Sequence, residues 1–190
     1  LEAAREALGG QHIAIAADLT AAAEIARVAE AAGAIDGLVN CAGIYPVTPL
    51  LELDAAEWDR VLGINLRTPF LLTQAVARRA IAEKRGCSIV NISSTASVLA
   101  RPGIAHYGAS KAALNQLTRV LAVELAPHGI RVNAVLPGVI ATETVKASLS
   151  TPAAIAEMNA KEARIPMGRL GQPEEIAELV AYLLSPASSY

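Results

Sequence analysis

The chain has 190 residues, 53% of them hydrophobic, with a mean hydropathy of +0.39, 40 alanines against six aromatic residues, and a formal charge of −2 from 16 basic and 18 acidic side chains. A chain this apolar can bury a core of closely packed small aliphatic groups, which excludes disorder; neither sign of charge forms a block, which excludes a nucleic-acid footprint and a basic membrane-binding face. Cys41 and Cys87 lie far apart with no CxxC and no histidine at ligand spacing, which excludes a disulfide framework and a metal site and leads us to expect a reducing, cytoplasmic setting.

Residues 1 to 8 read as the tail of an amphipathic helix stopped by Gly9-Gly10, without the basic and apolar regions of a signal peptide. The apolar run Ile13-Ala14-Ile15-Ala16-Ala17 predicts a strand, Thr20 to Ala32 a helix stopped by Gly33, and Gly37 to Asn40 the next strand. A long helical stretch follows, opened by a capping box of Asp54 and Glu57, with a second segment from Thr68 to Lys84 before Gly86. Residues 88 to 93 predict a strand covered on both faces, 107 to 126 a helix ended by Pro127 and Gly129, and 130 to 136 another buried strand broken by Pro137-Gly138. Two more helices are expected, one capped by Thr151 with Pro152 in its first turn and one led by Pro173-Glu174-Glu175. No uncharged apolar stretch reaches the roughly 18 residues of a membrane span. Strands alternating with helices of this length predict an α/β doubly wound parallel sheet, with its site beyond the carboxyl ends of the strands.

Tyr107 and Lys111 stand four apart on one helix face. A neighbouring ammonium lowers a phenol's pKa from its usual value of about 10, so the pair is either a tuned proton donor or an ordinary aromatic and lysine at helical spacing. Ser94 ends a strand thirteen residues earlier, where a hydroxyl serves as a cap or as a site group. Asn65 lies inside a helical stretch that disfavours it, and so marks a kink or a functional amide. His106 is a candidate substrate contact or a solvated loop histidine; His12 and His128 read as turn residues. A serine-hydrolase reading of Ser94 and His106 fails for want of a GxSxG elbow.

Together with their surroundings these residues strongly resemble the short-chain dehydrogenase/reductase family, in its 3-oxoacyl reductase-like branch. The matching stretches, in family order, are Leu38-Val39-Asn40-Cys41-Ala42-Gly43, Ile64-Asn65-Leu66, Ile89-Val90-Asn91-Ile92-Ser93-Ser94, Tyr107-Gly108-Ala109-Ser110-Lys111, Arg131-Val132-Asn133-Ala134-Val135-Leu136-Pro137-Gly138 and Arg169-Leu170-Gly171-Gln172-Pro173-Glu174-Glu175. The resemblance implies a Rossmann-type fold and hydride transfer between NAD or NADP and a secondary alcohol or ketone. Tyr107 would be general acid and base, Lys111 would lower its pKa and hold the nicotinamide ribose, Ser94 would bond the substrate oxygen, and Asn65 would hold a water for proton exchange. Cofactor contacts would come from Asp18, Leu19, Asn40, Cys41, Ala42, Gly43, Tyr107, Lys111, Pro137, Gly138, Ile140 and Thr142. Cys41 stands where the family more often has a second Asn. Thr95, Ala96, Val98, Leu99, His106, Val139 and the segment on to about Met167 would wall the substrate pocket.

The thirteen glycines nowhere form the GxG of the family's phosphate loop, and residues 185 to 190 resemble the lead into its last strand. We therefore expect residues 1 to 190 to be one partial domain from the interior of a longer protein, lacking the first βαβ unit and the last strand, and not binding cofactor tightly by itself. A homotetramer of the complete protein is expected from the small-residue faces of the helices at 68 to 84 and 107 to 126. A non-catalytic protein on the same fold and a Tyr-Lys epimerase or dehydratase are the alternatives.

Overall fold

A computed structural model describes residues 2–9 and 12–190, so Leu1 and Gly10, part of the expected opening helix and its stop, lie outside the described residues. Three parallel strands, β1 (Gly37–Asn40), β2 (Cys87–Ile92) and β3 (Ile130–Val135), pair in that order, with Asn40 opposite Asn91 and Ile92 opposite Val135. Parallel neighbours need long crossovers, and helices supply them. Before β1 come α1 (Glu2–Ala7) and α2 (Ala22–Ala32); α3 (Ala55–Leu62) and α4 (Thr68–Ala82) lead from β1 to β2, and α5 (Ala105–Leu125) leads from β2 to β3. After β3 come α6 (Glu143–Ser148), α7 (Pro152–Glu162) and α8 (Pro173–Leu184).

Alternation along β2 divides its side chains between two helical layers. Cys87 and Ile89 pack with Val76, Ala77 and Ala80 of α4 and with Leu121, Ala122 and Leu125 of α5. Val90 turns the other way, joining Val135 and the α8 residues Ile176, Val180, Leu183 and Leu184. Ile89 and Val90 are both wholly buried, each stabilising the fold by about 1.5–3 kcal/mol relative to an exposed side chain. This is the three-layer α/β architecture expected of a doubly wound sheet.

Several local expectations are corrected. Residues 13–17 form no strand: Ile13 is 81% exposed and no neighbouring strand presents a ladder, without which apolar character alone does not make a strand. The next helix begins at Ala22 rather than Thr20, because Asp18 Oδ1 accepts from both Thr20 N at 2.9 Å and Thr20 Oγ1 at 2.7 Å and holds a turn there. Asp54 caps α3 through Glu57 N at 2.7 Å, but Glu57 does not reciprocate, its carboxylate being engaged elsewhere. Between α3 and α4 the chain makes a π-helical turn, Gly63–Arg67, in which Thr68 N reaches back five residues to Gly63 O. Helix α6 was not expected; Thr142 caps it by accepting from Val145 N at 3.3 Å.

Candidate active site

The strands point their carboxyl ends at one edge, and the loops leaving that edge carry the polar side chains. Continued pairing beyond β2 and β3, through Ser93 N to Val135 O at 2.8 Å and Thr95 N to Pro137 O at 3.0 Å, fixes the backbone around Ser94. Ser94 Oγ accepts from Ala96 N at 3.1 Å and caps the short turn Thr95–Ser97. Its hydroxyl also acts on the Tyr107 phenol, lowering its pKa against the effect of burial, so capping and site roles coexist. Tyr107 stands in the first turn of α5, one turn before Lys111.

Lys111 is almost fully buried, and Nζ donates to Ile92 O at 2.7 Å while lying 5.8 Å from the centroid of the Tyr107 ring. Burial pulls the ammonium down from its usual 10.5 to about 8, against a small opposing effect of Cys41. Burial also raises the Tyr107 phenol; the Ser94 bond and Arg101 act against it, and Tyr45 adds to it. The expected depression of Tyr107 by Lys111 is therefore corrected. The ammonium faces the ring and turns to the Ile92 carbonyl, and the low dielectric around the phenol governs its proton.

Asn65 is fully buried in the π-turn. Its Nδ2 donates to Ile44 O and its Oδ1 accepts from Ile44 N, both at 2.9 Å, and Nδ2 also lies 3.3 Å from Ser110 Oγ. Both sides of the amide clamp the backbone that follows Gly43. A Cβ at Gly43 would stand 3.2 Å from Asn65 Oδ1 and 3.7 Å from Lys111 Nζ, so this backbone remains open beside the ammonium only because the residue is glycine.

The other expected cofactor residues divide by where their side chains face. Cys41, Ala42, Gly43, Gly138 and Thr142 are exposed, and Pro137 and Ile140 are half-buried. Asp18 and Leu19 are held at the start of α4, where Thr68 Oγ1 donates to Leu19 O at 2.7 Å. Asn40 differs: its buried Nδ2 donates to Asn91 Oδ1 at 2.8 Å, so only its backbone faces the site edge. Val139 O and Ala141 N both bond Gly171, at 3.1 and 2.8 Å, which braces the Val139–Thr142 loop. Arg169 in turn grips Glu175 with two bonds of 2.7 and 2.8 Å and, with Gln172 N, holds its carboxyl at a pKa of about 2.

Among the expected substrate residues, Thr95 is half-buried, while Val98 and Leu99 are exposed. Ala96 is buried, its carbonyl lying 3.2 Å from where a Cβ on Gly108 would stand. His106 is corrected: it is wholly buried in the first turn of α5, with Nε2 3.0 Å from Glu57 Oε1 and Nδ1 unpartnered. Glu57 also accepts from Thr48 Oγ1 at 2.5 Å, and that bond, helped by His106 and opposed by burial, sets its carboxyl below the usual range.

Two residues at the mouth were not foreseen. Tyr45 packs edge-on against Tyr107, centroids 4.6 Å apart, and Arg101 Nη2 donates to Tyr45 Oη at 3.0 Å. Tyr45 follows the matched stretch by only two residues, and Arg101 lies in the loop ahead of α5, so no periodicity marks either. Among the described residues there is no group of three or more metal-ligating side chains and no helix long and apolar enough to cross a membrane.

A family model described as Enoyl-(Acyl carrier protein) reductase matches residues 1–190. The human (3R)-3-hydroxyacyl-CoA dehydrogenase is 44% identical over 154 residues, which is 80% of this chain and 57% of that protein. The L-rhamnose 1-dehydrogenase (NAD(P)(+)) of Azotobacter vinelandii is 37% identical over 188 residues, 97% of this chain and 72% of that one. A solved structure of 4-hydroxyisoleucine dehydrogenase complexed with NADH superposes with a TM-score of 0.83 at 34% identity, covering 90% of this chain and 71% of that one. The chain thus spans between about half and three quarters of the length of these relatives.

Proposed function

Because the chain belongs to the short-chain dehydrogenase/reductase family, we propose that the protein carrying it interconverts a secondary alcohol and a ketone with NAD or NADP. The observation that carries this reading is the meeting of Ser94, Tyr107 and Lys111 at one sheet edge, beside the open backbone of Gly43. When bound, the nicotinamide cofactor supplies or accepts the hydride.

The residues present suit that cofactor. Lys111 uses one of its three N–H donors on Ile92 O among the described residues, leaving donors for the ribose hydroxyls. The Gly43 backbone lets a flat or bulky group pass beside it, and the braced Val139–Thr142 loop, with Pro137 and Gly138 before it, holds the nicotinamide end. Asp18, Leu19 and the backbone of Asn40, Cys41 and Ala42 hold the adenosine end.

In the direction of reduction Tyr107 gives its phenolic proton to the substrate oxygen, and Ser94 donates a hydrogen bond to the same atom as negative charge gathers there. Lys111 holds the ribose hydroxyls beside the phenol, its ammonium 5.8 Å from the ring centroid. Asn65 contributes by holding the Gly43-Ile44 backbone in place. Two hydroxyls converging on one point suit protonation of an oxygen, which favours a ketone over the enoyl double bond named in the family description.

The relatives act, by name, on a hydroxyacyl thioester, a sugar and a hydroxylated amino acid, so the class extends no further than secondary alcohols. A cytoplasmic protein fits the free Cys41 and Cys87. A homotetramer fits the groove of about 960 Å³ that α3, α4 and α5 leave open around Leu62, Leu66, Phe70, Ala113 and Leu117, and sedimentation of a monomer would overturn it.

The test is a panel of alcohols, ketones and an enoyl thioester, followed by nicotinamide absorbance with Tyr107→Phe as control. Ketone turnover is expected to fall about 100- to 10,000-fold in the variant. Equal turnover by both proteins would refute the mechanism.

A further inference from the structure

Arg101 is an exposed cation at the mouth of this site, and its surroundings hold it there. Its loop is anchored where Thr48 N donates to Gly103 O at 2.8 Å. Its Nη2 donates to Tyr45 Oη at 3.0 Å, and its guanidinium carbon lies 5.8 Å from the Tyr45 ring centroid. Tyr45 stands edge-on to Tyr107 at 4.6 Å, so laid end to end these distances place the charge within one short acyl or hydroxyalkyl chain of the reacting phenol.

That charge has no ion-pair partner among the described residues, whereas Arg169, also exposed, bonds Glu175. The acid that feels Arg101 is Glu157 on α7, and its carboxylate is already held by Lys161 at 2.7 Å. A guanidinium keeps five donors in a fixed fork, and only one contact, to a neutral phenol, is made here. The remaining donors make no other hydrogen bond among the described residues.

We propose that Tyr45 and Arg101 form a recognition wall for an anionic substituent of the substrate, a carboxylate or phosphate carried a short chain away from the carbonyl that Tyr107 protonates. This rests on the oxidoreductase reading of the site and narrows it to acidic hydroxy and oxo compounds. Tyr45 positions the guanidinium and supplies an apolar edge for the chain between the two groups; Arg101 takes the anion in its fork.

The test pairs methyl-ketone acids of increasing length, acetoacetate and levulinate first, with their methyl esters, and compares kcat/KM in the protein and in Arg101→Gln and Arg101→Lys. The acid-over-ester preference is expected to drop about 10- to 100-fold in Arg101→Gln, the range of a charge-assisted hydrogen bond, and to recover partly in Arg101→Lys. It should also weaken as salt is raised. Isothermal titration with levulinate supplies a readout independent of turnover. A wild-type protein that prefers esters, or a preference unmoved by Arg101→Gln, overturns the wall while leaving the oxidoreductase reading intact. Arg101-dependent binding of levulinate with no hydride transfer on any ketone supports the wall and overturns the oxidoreductase reading.

Discussion

Replacing Lys111 by Met should make the cofactor-free protein more stable at neutral pH. The ammonium is 5% exposed and titrates near 8 instead of 10.5. The difference corresponds to a cost of about 3 kcal/mol for keeping it charged. Methionine removes that cost at similar volume but leaves Ile92 O without its 2.7 Å partner, a loss of about 1–2 kcal/mol. The net gain is about 1–2 kcal/mol, or roughly 3–6 °C in melting temperature for a chain of this size. Below about pH 8 the folded and unfolded chains both carry the proton, and the penalty is felt in full. Between about 8 and 10.5 the unfolded chain holds a proton that the folded chain has released, so wild-type stability rises with pH across that window. Thermal melts followed by circular dichroism, without cofactor, should therefore show the variant ahead at pH 7 and the gap closing toward pH 10. A wild type that melts above the variant at pH 7, or a gap indifferent to pH, would refute the reasoning.

Three further perturbations probe the frame around the site. Arg131 reaches the carbonyls of Leu183 at 2.8 Å and Ser185 at 3.2 Å and so caps the carboxyl end of α8; Arg131→Met should cost about 1–2 kcal/mol in urea denaturation, and an unchanged midpoint would contradict the cap. Gly103 has φ +77° and a Cβ there would stand 2.9 Å from Val47 Cγ1, so Gly103→Ala should cost about 1–2 kcal/mol or more and raise KM by disturbing the Tyr45 segment; a melt identical to wild type would count against it. Arg169→Ala should raise KM for the nicotinamide cofactor several-fold with little change in melting temperature, because the Arg169–Glu175 pair is exposed while the loop it braces is not free to move. A variant whose cofactor KM is unchanged would show that the brace is dispensable.

Much of the fold was legible because short-range signals and long-range packing agreed. The runs at β2 and β3 are apolar where both faces are covered, and Gly33 and Gly129, at φ 65° and 70°, stop their helices where expected. Ser94, Tyr107 and Lys111 were legible through spacing joined to a known family pattern, and the structure brings them together. The apolar run at 13–17 misled because pairing, unlike hydrophobicity, is not a property of the segment. Glu57 misled because its cap spacing was genuine, yet a buried imidazole 49 positions away competed for its carboxylate. Tyr45 and Arg101 could not be found by periodicity, since both lie on loops and meet only across a sequence separation of 56.

The π-turn at Gly63–Arg67 has a consequence for the whole helical arm. Each helical residue advances about 100° around the axis, so one surplus residue resets the phase of everything downstream by about that angle. Upstream of it, α3 lies against α5, with Val61 buried; downstream, α4 can turn Val76, Ala77 and Ala80 onto the sheet. A deletion of one residue between positions 63 and 67 would therefore be no local blemish. It would rotate one surface away from its partner whichever way the helix settled, coupling the aim of a single amide to the docking of fifteen residues of α4.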